Sequence, residues 1–319
     1  MHRLNKEQLA PLGLTCVDTG YVRPELAACY LLNRDGEIAI IETGTTHTLP
    51  ILHKALVSQG LDWSAVRYVI PTHVHLDHAG GVGALMAQCP QATLLVHPRG
   101  ARHMIDPSKL IQGTQAVYGE EQTYALYGTL QGVPAERLVT PEDGAEVALG
   151  RSQLTFLHTE GHAKHHFCVF EGNTGLLFSG DMLGISYPDL DTPAGPFFFP
   201  TTTPVQFDPE AMHQSLDRLA ALGAGPLALT HYGVVQASER IFQQLHRLTD
   251  RFVACVRDLD LGDPQSGSLL EAQIRESLQA EARALVPDLD LHKLDQLTEF
   301  DVVLNSQGLL FWANHTKTP

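Results

Sequence analysis

Apolar residues recur along this chain in two rhythms. As far as about residue 235 they come in short runs bounded by turn residues; beyond it they return every three or four positions. Residues 27–32 and 37–41 are apolar runs joined by Asn33-Arg34-Asp35-Gly36, and the Asp-Gly pair predicts a β-hairpin. Residues 48–59 predict a helix with Ile51, Leu52, Ala55 and Leu56 on one face. A strand over 66–70, a short helix over 83–88 and a strand over 93–96 follow. This alternation is that of a mixed α/β protein. Residues 101–135 are less regular, and Tyr124 and Tyr127 at helical spacing point to a helical excursion. Short strands return at 146–149, 153–158, 167–170 and 176–179. Residues 184–206 are rich in Pro, Thr and Phe without a period, which predicts a long ordered loop. Asp208-Pro209-Glu210 opens a helix: Asp caps it, Pro suits the first turn and Glu suits the dipole. Residues 227–230 form a strand that delivers His231.

After about Gln236 the period lengthens. Ile241, Leu245, Leu248, Phe252, Val256 and Leu259 make a helical stripe. Ser268-Leu269-Leu270-Glu271 reads as a capping box before a second helix, with Ile274 and Leu278 on its face. A third helical segment ends near Trp312. No internal repeat or low-complexity tract is visible. The expected organisation is an α/β body over 1–235 and a helical extension over 236–319.

Composition narrows the class. The chain has 319 residues, 44% hydrophobic and 18% charged, enough for a sizeable core. The formal net charge of −15 sets the surface against polyphosphate, so nucleic acid is not an expected partner. No apolar stretch is long enough to span a bilayer, and residues 1–7 lack the apolar run of a signal peptide. Cys16, Cys29, Cys89, Cys168 and Cys255 are scattered and odd in number, which suits buried thiols in a reducing, cytoplasmic setting.

Candidate chemistry sits at the ends of the predicted strands. Thr72-His73-Val74-His75-Leu76-Asp77-His78 packs three imidazoles and a carboxylate into one short string ahead of Ala79-Gly80-Gly81. Borderline divalent ions such as zinc accept both ligand types. In an extended segment residues two apart share a side, so His73 and His75 can share one ion. If the chain then curls, Asp77 and His78 can face a second. Three later positions carry metal-binding side chains at strand tips: His162 after Gly161, Asp181 after Gly180, and His231 after Thr230.

With these residues the chain resembles the metallo-β-lactamase-fold hydrolase superfamily. His73, His75, Asp77 and His78 match its HxHxDH signature, and His162, Asp181 and His231 match its three later ligand positions in order. The resemblance covers roughly residues 14–235. It implies an α/β fold, the αββα sandwich of two mixed sheets with helices outside and metals at one edge, here with a C-terminal helical appendage. It implies one metal held by His73, His75 and His162, a second held by Asp77, His78 and His231, and Asp181 bridging them. Asp77 is the expected catalytic residue. The expected cofactors are two divalent ions, zinc ahead of iron or manganese, about 3.5–4 Å apart and able to make hydroxide at neutral pH.

The sequence departs from the family pattern beside the ligands. Thr159-Glu160-Gly161-His162 stands where many relatives have Thr-Pro-Gly-His, and Lys164-His165-His166 is unusual. His166 is read as an orienting partner for a ligand. Glu42, where relatives often carry Asp, is read as a supporting carboxylate. Tyr232 and Tyr187 are candidates to donate to a developing oxyanion, with packing as the alternative. Phe197, Phe198 and Phe199 either line an apolar pocket or fill the core. His97 and His103 read as structural; His2, His47, His53, His213, His246 and His292 read as surface or structural.

The resulting expectation is a binuclear hydrolase cleaving a small ester, thioester or lactone. The helical extension resembles the extra helices beside the site in glyoxalase II-like members, although no basic cluster for glutathione is visible. It also offers a surface for a homodimer. A β-lactam is disfavoured because Asp181 stands where the best-known zinc β-lactamases carry cysteine. The rivals are a mononuclear iron persulfide dioxygenase holding its metal with His73, His162 and Asp181, a phosphodiesterase or nuclease, and a non-enzymatic binding protein.

Overall fold

Both faces of the first sheet are buried, and that fixes the layering. The computed structural model describes residues 3–202, 205–257, 259–287 and 289–316. Six strands make the first sheet in sequence order: β1 Leu14–Asp18, β2 Ala28–Arg34, β3 Glu37–Ile41, β4 Val66–Ile70, β5 Thr93–Leu95 and β6 Leu138–Val139. β1–β2 and β2–β3 pair antiparallel, and β3 through β6 run parallel. The β2–β3 turn carries Asp35 at φ 56° and Gly36 at φ 89°, the two positive angles that a tight hairpin of this hand requires. The second sheet is formed by β7 Glu146–Leu149, β8 Ser152–His158, β9 Phe167–Glu171, β10 Leu176–Ile185, β11 Pro226–His231 and β12 Gly233–Gln236, ordered β12-β11-β10-β9-β8-β7.

Period-two alternation then sorts side chains between layers. In β2, Ala28, Tyr30 and Leu32 point to the space between the sheets, where they meet Phe156, Val169 and Phe178 of the second sheet. Cys29 and Leu31 point outward, under α1 Leu49–Val57 and α2 Val82–Gln88. The outer face of the second sheet is covered by α5 Pro209–Ala221, α6 Glu239–Arg257, α7 Ser266–Leu285 and α8 Leu291–Thr316, while α3 Ser108–Tyr118 and α4 Glu120–Tyr127 lie between β5 and β6 in sequence. One hydrophobic cluster runs from Leu177 and Leu229 in the sheet through Leu216, Leu248 and Leu278 to Val302 in α8. The architecture is therefore αββα, with a C-terminal helical region packed on the second sheet.

Several elements differ from their sequence-based expectation. Strand β10 runs on to Ile185, so Asp181 lies within it rather than at its tip. Its pairing with β11 is irregular around Gly180, as expected for an extra residue beside a glycine at φ 50°. Ser268 is not a cap: α7 starts at Ser266, whose hydroxyl donates to the Asp260 and Asp263 carbonyls. Helix α8 continues past Trp312 to Thr316. On α1, Leu52 and Leu56 are buried while Ile51 is exposed. Phe197, Phe198 and Phe199 are fully buried in the second core and line no part of the cavity described below. His2, and Thr203 and Pro204 of the 184–206 loop, lie outside the described residues.

Candidate metal centre

The strand ends converge on one edge of the sandwich. Strand β4 leads into His73 and His75, and a one-turn helix, Leu76–Ala79, then carries Asp77 and His78. That turn needs Gly81, because a Cβ there would meet the Thr43 and Thr45 carbonyl oxygens at 2.9 and 2.8 Å. His162 follows β8, Asp181 sits in β10, and His231 ends β11. The structure brings all seven side chains into one cluster.

Their donor atoms fall into two groups that share Asp181. His75 Nδ1 lies 2.8 Å from His73 Nε2 and 3.2 Å from His162 Nε2. His231 Nε2 and His78 Nε2 lie 3.4 and 3.6 Å from Asp77 Oδ2. Asp181 divides between them: Oδ2 is 3.4 Å from His162 Nε2, and Oδ1 is 3.2 Å from His78 Nε2 and 3.6 Å from His231 Nε2. A tetrahedral ion with ligand bonds of about 2.0 Å separates its ligand atoms by about 3.3 Å, so these spacings suit a metal. His78 Nε2 and Asp181 Oδ1 are buried without a hydrogen-bond partner, which also fits metal ligation.

The outer ring nitrogens explain why the inner ones are free to ligate. His162 Nδ1 donates to the Thr201 carbonyl at 3.2 Å and His231 Nδ1 to the Leu26 carbonyl at 2.8 Å. Carbonyls only accept, so both rings carry their proton outside and present bare Nε2 atoms. His78 Nδ1 donates to Glu42 Oε1 at 3.0 Å. Thr72 Oγ1 gives its proton to Glu42 Oε1 and receives one from His73 Nδ1 at 3.1 Å. Glu42 is 1% exposed and also accepts from Thr72 N–H and from Thr230 Oγ1 at 3.0 Å. One buried carboxylate thus orients imidazoles from both groups.

His166 supports β10 at Asp181. Its Nε2 accepts from the Asp181 N–H at 3.1 Å, and its Nδ1 donates to Thr159 Oγ1 at 2.8 Å. Gly180 lets this happen, since a Cβ there would collide with His166 Nε2 and Thr72 Oγ1. His165 is buried against the His73 and His75 rings, but its Nδ1 has no hydrogen-bond partner. Tyr232 goes elsewhere. Its ring packs beside Cys16 and the inter-sheet core, and its carbonyl accepts from Arg3, so its phenol does not reach the ligands. His97 is buried and accepts from the Arg99 N–H. His213 and His246 pair with each other on the surface of α5 and α6, with Nδ1 atoms 2.6 Å apart.

Electrostatics divide the cluster as the geometry does. Burial, then the neighbouring imidazoles, hold His73 and His75 well below the usual histidine range, so both rings are neutral. Burial opposes charge on His78 and His231 as well. There Asp181 and Asp77 outweigh it and pull both upward, His231 to about 9. Burial would raise Asp77 and Asp181, yet the imidazoles facing them hold both carboxyls far below the normal range. Two ionised carboxylates in a buried pocket call for positive charge, which divalent ions supply in competition with protons.

A cavity of about 860 Å³ opens onto His75, Asp77, Asp181 and His231. Tyr21 and Tyr127 line it with hydroxyls 3.0 Å apart. Tyr187 lines it too, but its hydroxyl donates to the Asp301 carboxylate of α8 at 3.1 Å. Sequence reasoning missed Thr72 and Thr230, although each directly precedes a histidine of the cluster at a strand end. It also missed Asp301, for which the local sequence carries no signal.

The chain belongs to the metallo-beta-lactamase superfamily, whose model matches residues 22–231. It is 25% identical over 276 residues to the metallo-beta-lactamase fold-containing protein ST1585 of Sulfurisphaera tokodaii, covering 84% of this chain and 95% of that one. The crystal structure of ST1585 superposes with a TM-score of 0.60 over 84% of this chain and 98% of that one. A hydroxyacylglutathione hydrolase of Aeromonas hydrophila is 26% identical over 193 residues, 60% of this chain and 56% of that protein. The acyl-coenzyme A thioesterase MBLAC2 of Bos taurus is 28% identical over 176 residues, 49% of this chain and 58% of that protein.

Proposed function

We propose that this protein is a hydrolase that works with two divalent metal ions, zinc first among them, and cleaves a small ester, thioester or lactone. The observation that carries the reading is the division of Asp181, one oxygen facing His162 and the other facing His78 and His231. His73, His75 and His162 would hold one ion; Asp77, His78 and His231 would hold the other. Bound there, such ions supply an activated water at neutral pH and Lewis acidity toward a carbonyl oxygen. The completeness of the second group favours this reading over a mononuclear iron dioxygenase.

The chain's own residues supply the rest. Glu42 fixes the orientation of His78 and His166 holds the backbone of Asp181, which helps keep the donor set assembled. Tyr21 donates to Tyr127 in the cavity beside Asp77, which leaves the Tyr127 hydroxyl proton to meet a carbonyl oxygen gaining charge. The apolar walls exclude water and strengthen each of these interactions. Two relatives whose names describe thioester hydrolysis support an acyl substrate. Five free cysteines among the described residues support a cytoplasmic setting.

The test is a panel of aryl esters, thioesters, lactones and phosphodiesters offered to zinc-loaded protein, wild type and Asp181→Ala. Turnover of a carboxylic ester, thioester or lactone, lost by orders of magnitude in the variant, is expected. Phosphodiester cleavage alone, or equal rates in both proteins, overturns the assignment.

A further inference from the structure

One wall of the cavity comes from an element that the family match does not span. That element is α8, which begins well beyond residue 231, where the match ends. The facing wall is α3 and α4. Leu110, Tyr118 and Leu126 line it from one side, and Leu297, Phe300 and Leu304 from the other. Tyr118 is 38% exposed and Phe300 56% exposed. Large apolar side chains gathered in the open around a cavity mark a surface that a ligand covers.

Charge narrows what that ligand is. Among the described residues lining the cavity, Arg23 is the one lysine or arginine, against Asp77, Asp181, Glu299 and Asp301. Its Nη1 donates to the Pro24 carbonyl at 3.1 Å and the guanidinium lies 4.2 Å over the Tyr187 ring, while its Nη2 is buried without a partner and lies on neither helical wall. Neither helical wall places a cation in the cavity. An anionic chain would therefore lose its hydration between α3–α4 and α8 and gain no partner. Burial pushes the Asp301 carboxyl up to about 7, against the pull of His231, Tyr187 and Arg23.

We infer that the substrate is a neutral ester or lactone bearing an extended apolar chain, with the chain lying between α3–α4 and α8 and the carbonyl at the ligand cluster. The carbonyl's place rests on the hydrolase reading; the chain's place rests on the cavity alone. At about 860 Å³ the cavity is at the large end for a small-molecule site. Each methylene that it removes from water raises affinity about fourfold.

The experiment uses zinc-loaded protein and three probe sets. The first is a series of acetyl, butanoyl, octanoyl and dodecanoyl esters of one neutral aryl alcohol. The second is a matched series of esters of the same aryl alcohol whose acyl chains end in a carboxylate. The third is a neutral dodecanoyl amide, which is bound rather than cleaved and is read by calorimetry. Along the neutral series kcat/KM rises about fourfold per added methylene until the cavity fills. The amide binds with a negative heat-capacity change, also in metal-free protein, and the charged chains fall at least tenfold behind neutral ones of equal length. Phe300→Ser and Tyr118→Ser, both at exposed positions, flatten the slope and weaken the amide. A flat series, or charged chains that match the neutral ones, overturns the inference. Acetyl ester turnover with no gain from chain length leaves the hydrolase reading standing and removes this one. Amide binding without turnover of any ester does the reverse.

Discussion

Glu42 Oε1 lies 3.0 Å from His78 Nδ1 and 3.0 Å from Thr230 Oγ1, so one buried oxygen ties a ligand imidazole to the strand that ends in His231. With Thr72 on the same carboxylate, it couples β3, β4 and β11 at the metal edge. The ligand set is therefore held by a partner that never faces the cavity.

Glu42→Gln keeps the shape and removes the charge. It weakens the His78 tautomer that presents Nε2, and metal affinity falls about 10- to 100-fold. Competition against a chromophoric chelator measures this. Unchanged affinity would show that Glu42 does no more than fill space.

His166→Ala leaves the Asp181 N–H and the Thr159 hydroxyl without their buried partner. The expected loss is about 1–3 kcal/mol of stability, read as a lower urea midpoint with an unchanged slope. A midpoint equal to that of the wild type contradicts the assigned hydrogen bonds.

The seven clustered side chains were legible because each lies beside a local signal: a dense histidine string, or a glycine or threonine at the end of an apolar run. The β2–β3 hairpin was legible for the same reason, since Asp35-Gly36 announces its own geometry. The cavity walls were not. Leu110, Leu126, Leu297 and Leu304 sit on helices whose apolar positions look the same whether they face a core or a ligand. The Phe197–Phe199 run misled in the opposite sense, because its three rings are core and the apolar lining comes from other elements. Asp301 meets Tyr187 only through the docking of α8 on the second sheet, and no local pattern encodes that contact.

Glu171 is fully buried and faces Arg34, with Oε2 and Nη2 2.9 Å apart. Burial alone would raise its carboxyl. Arg34, Ser152 and Thr174 outweigh it and hold the group down to about 2, against an ordinary 4.5. A depressed folded pKa means that its contribution is present above pH 4.5 and disappears as pH falls toward 2. Glu171→Gln therefore costs most near neutral pH, about 3 kcal/mol for breaking a buried pair, and progressively less in acid. A cost independent of pH would contradict this.

Asp301 works with the opposite sign. Burial holds it up at about 7, from an ordinary 3.8. Between those values the folded chain binds more protons than the unfolded one, so in metal-free protein its contribution is intact below pH 3.8 and is lost as pH rises through about 7. Asp301→Asn keeps an acceptor for the Tyr187 hydroxyl and removes the titration. The variant gains on the wild type from pH 4 to pH 7 and then levels off, as paired urea denaturation series would record; parallel curves would refute it.

Zinc titrated into metal-free protein, with binding followed by calorimetry and metal content checked after gel filtration, is the most direct measurement. The geometry predicts two equivalents for the wild type and a loss of one high-affinity site in His231→Ala, which breaks the Asp77, His78 and His231 group. A wild type that takes up one equivalent or none, or a variant that still holds two as tightly, would contradict it.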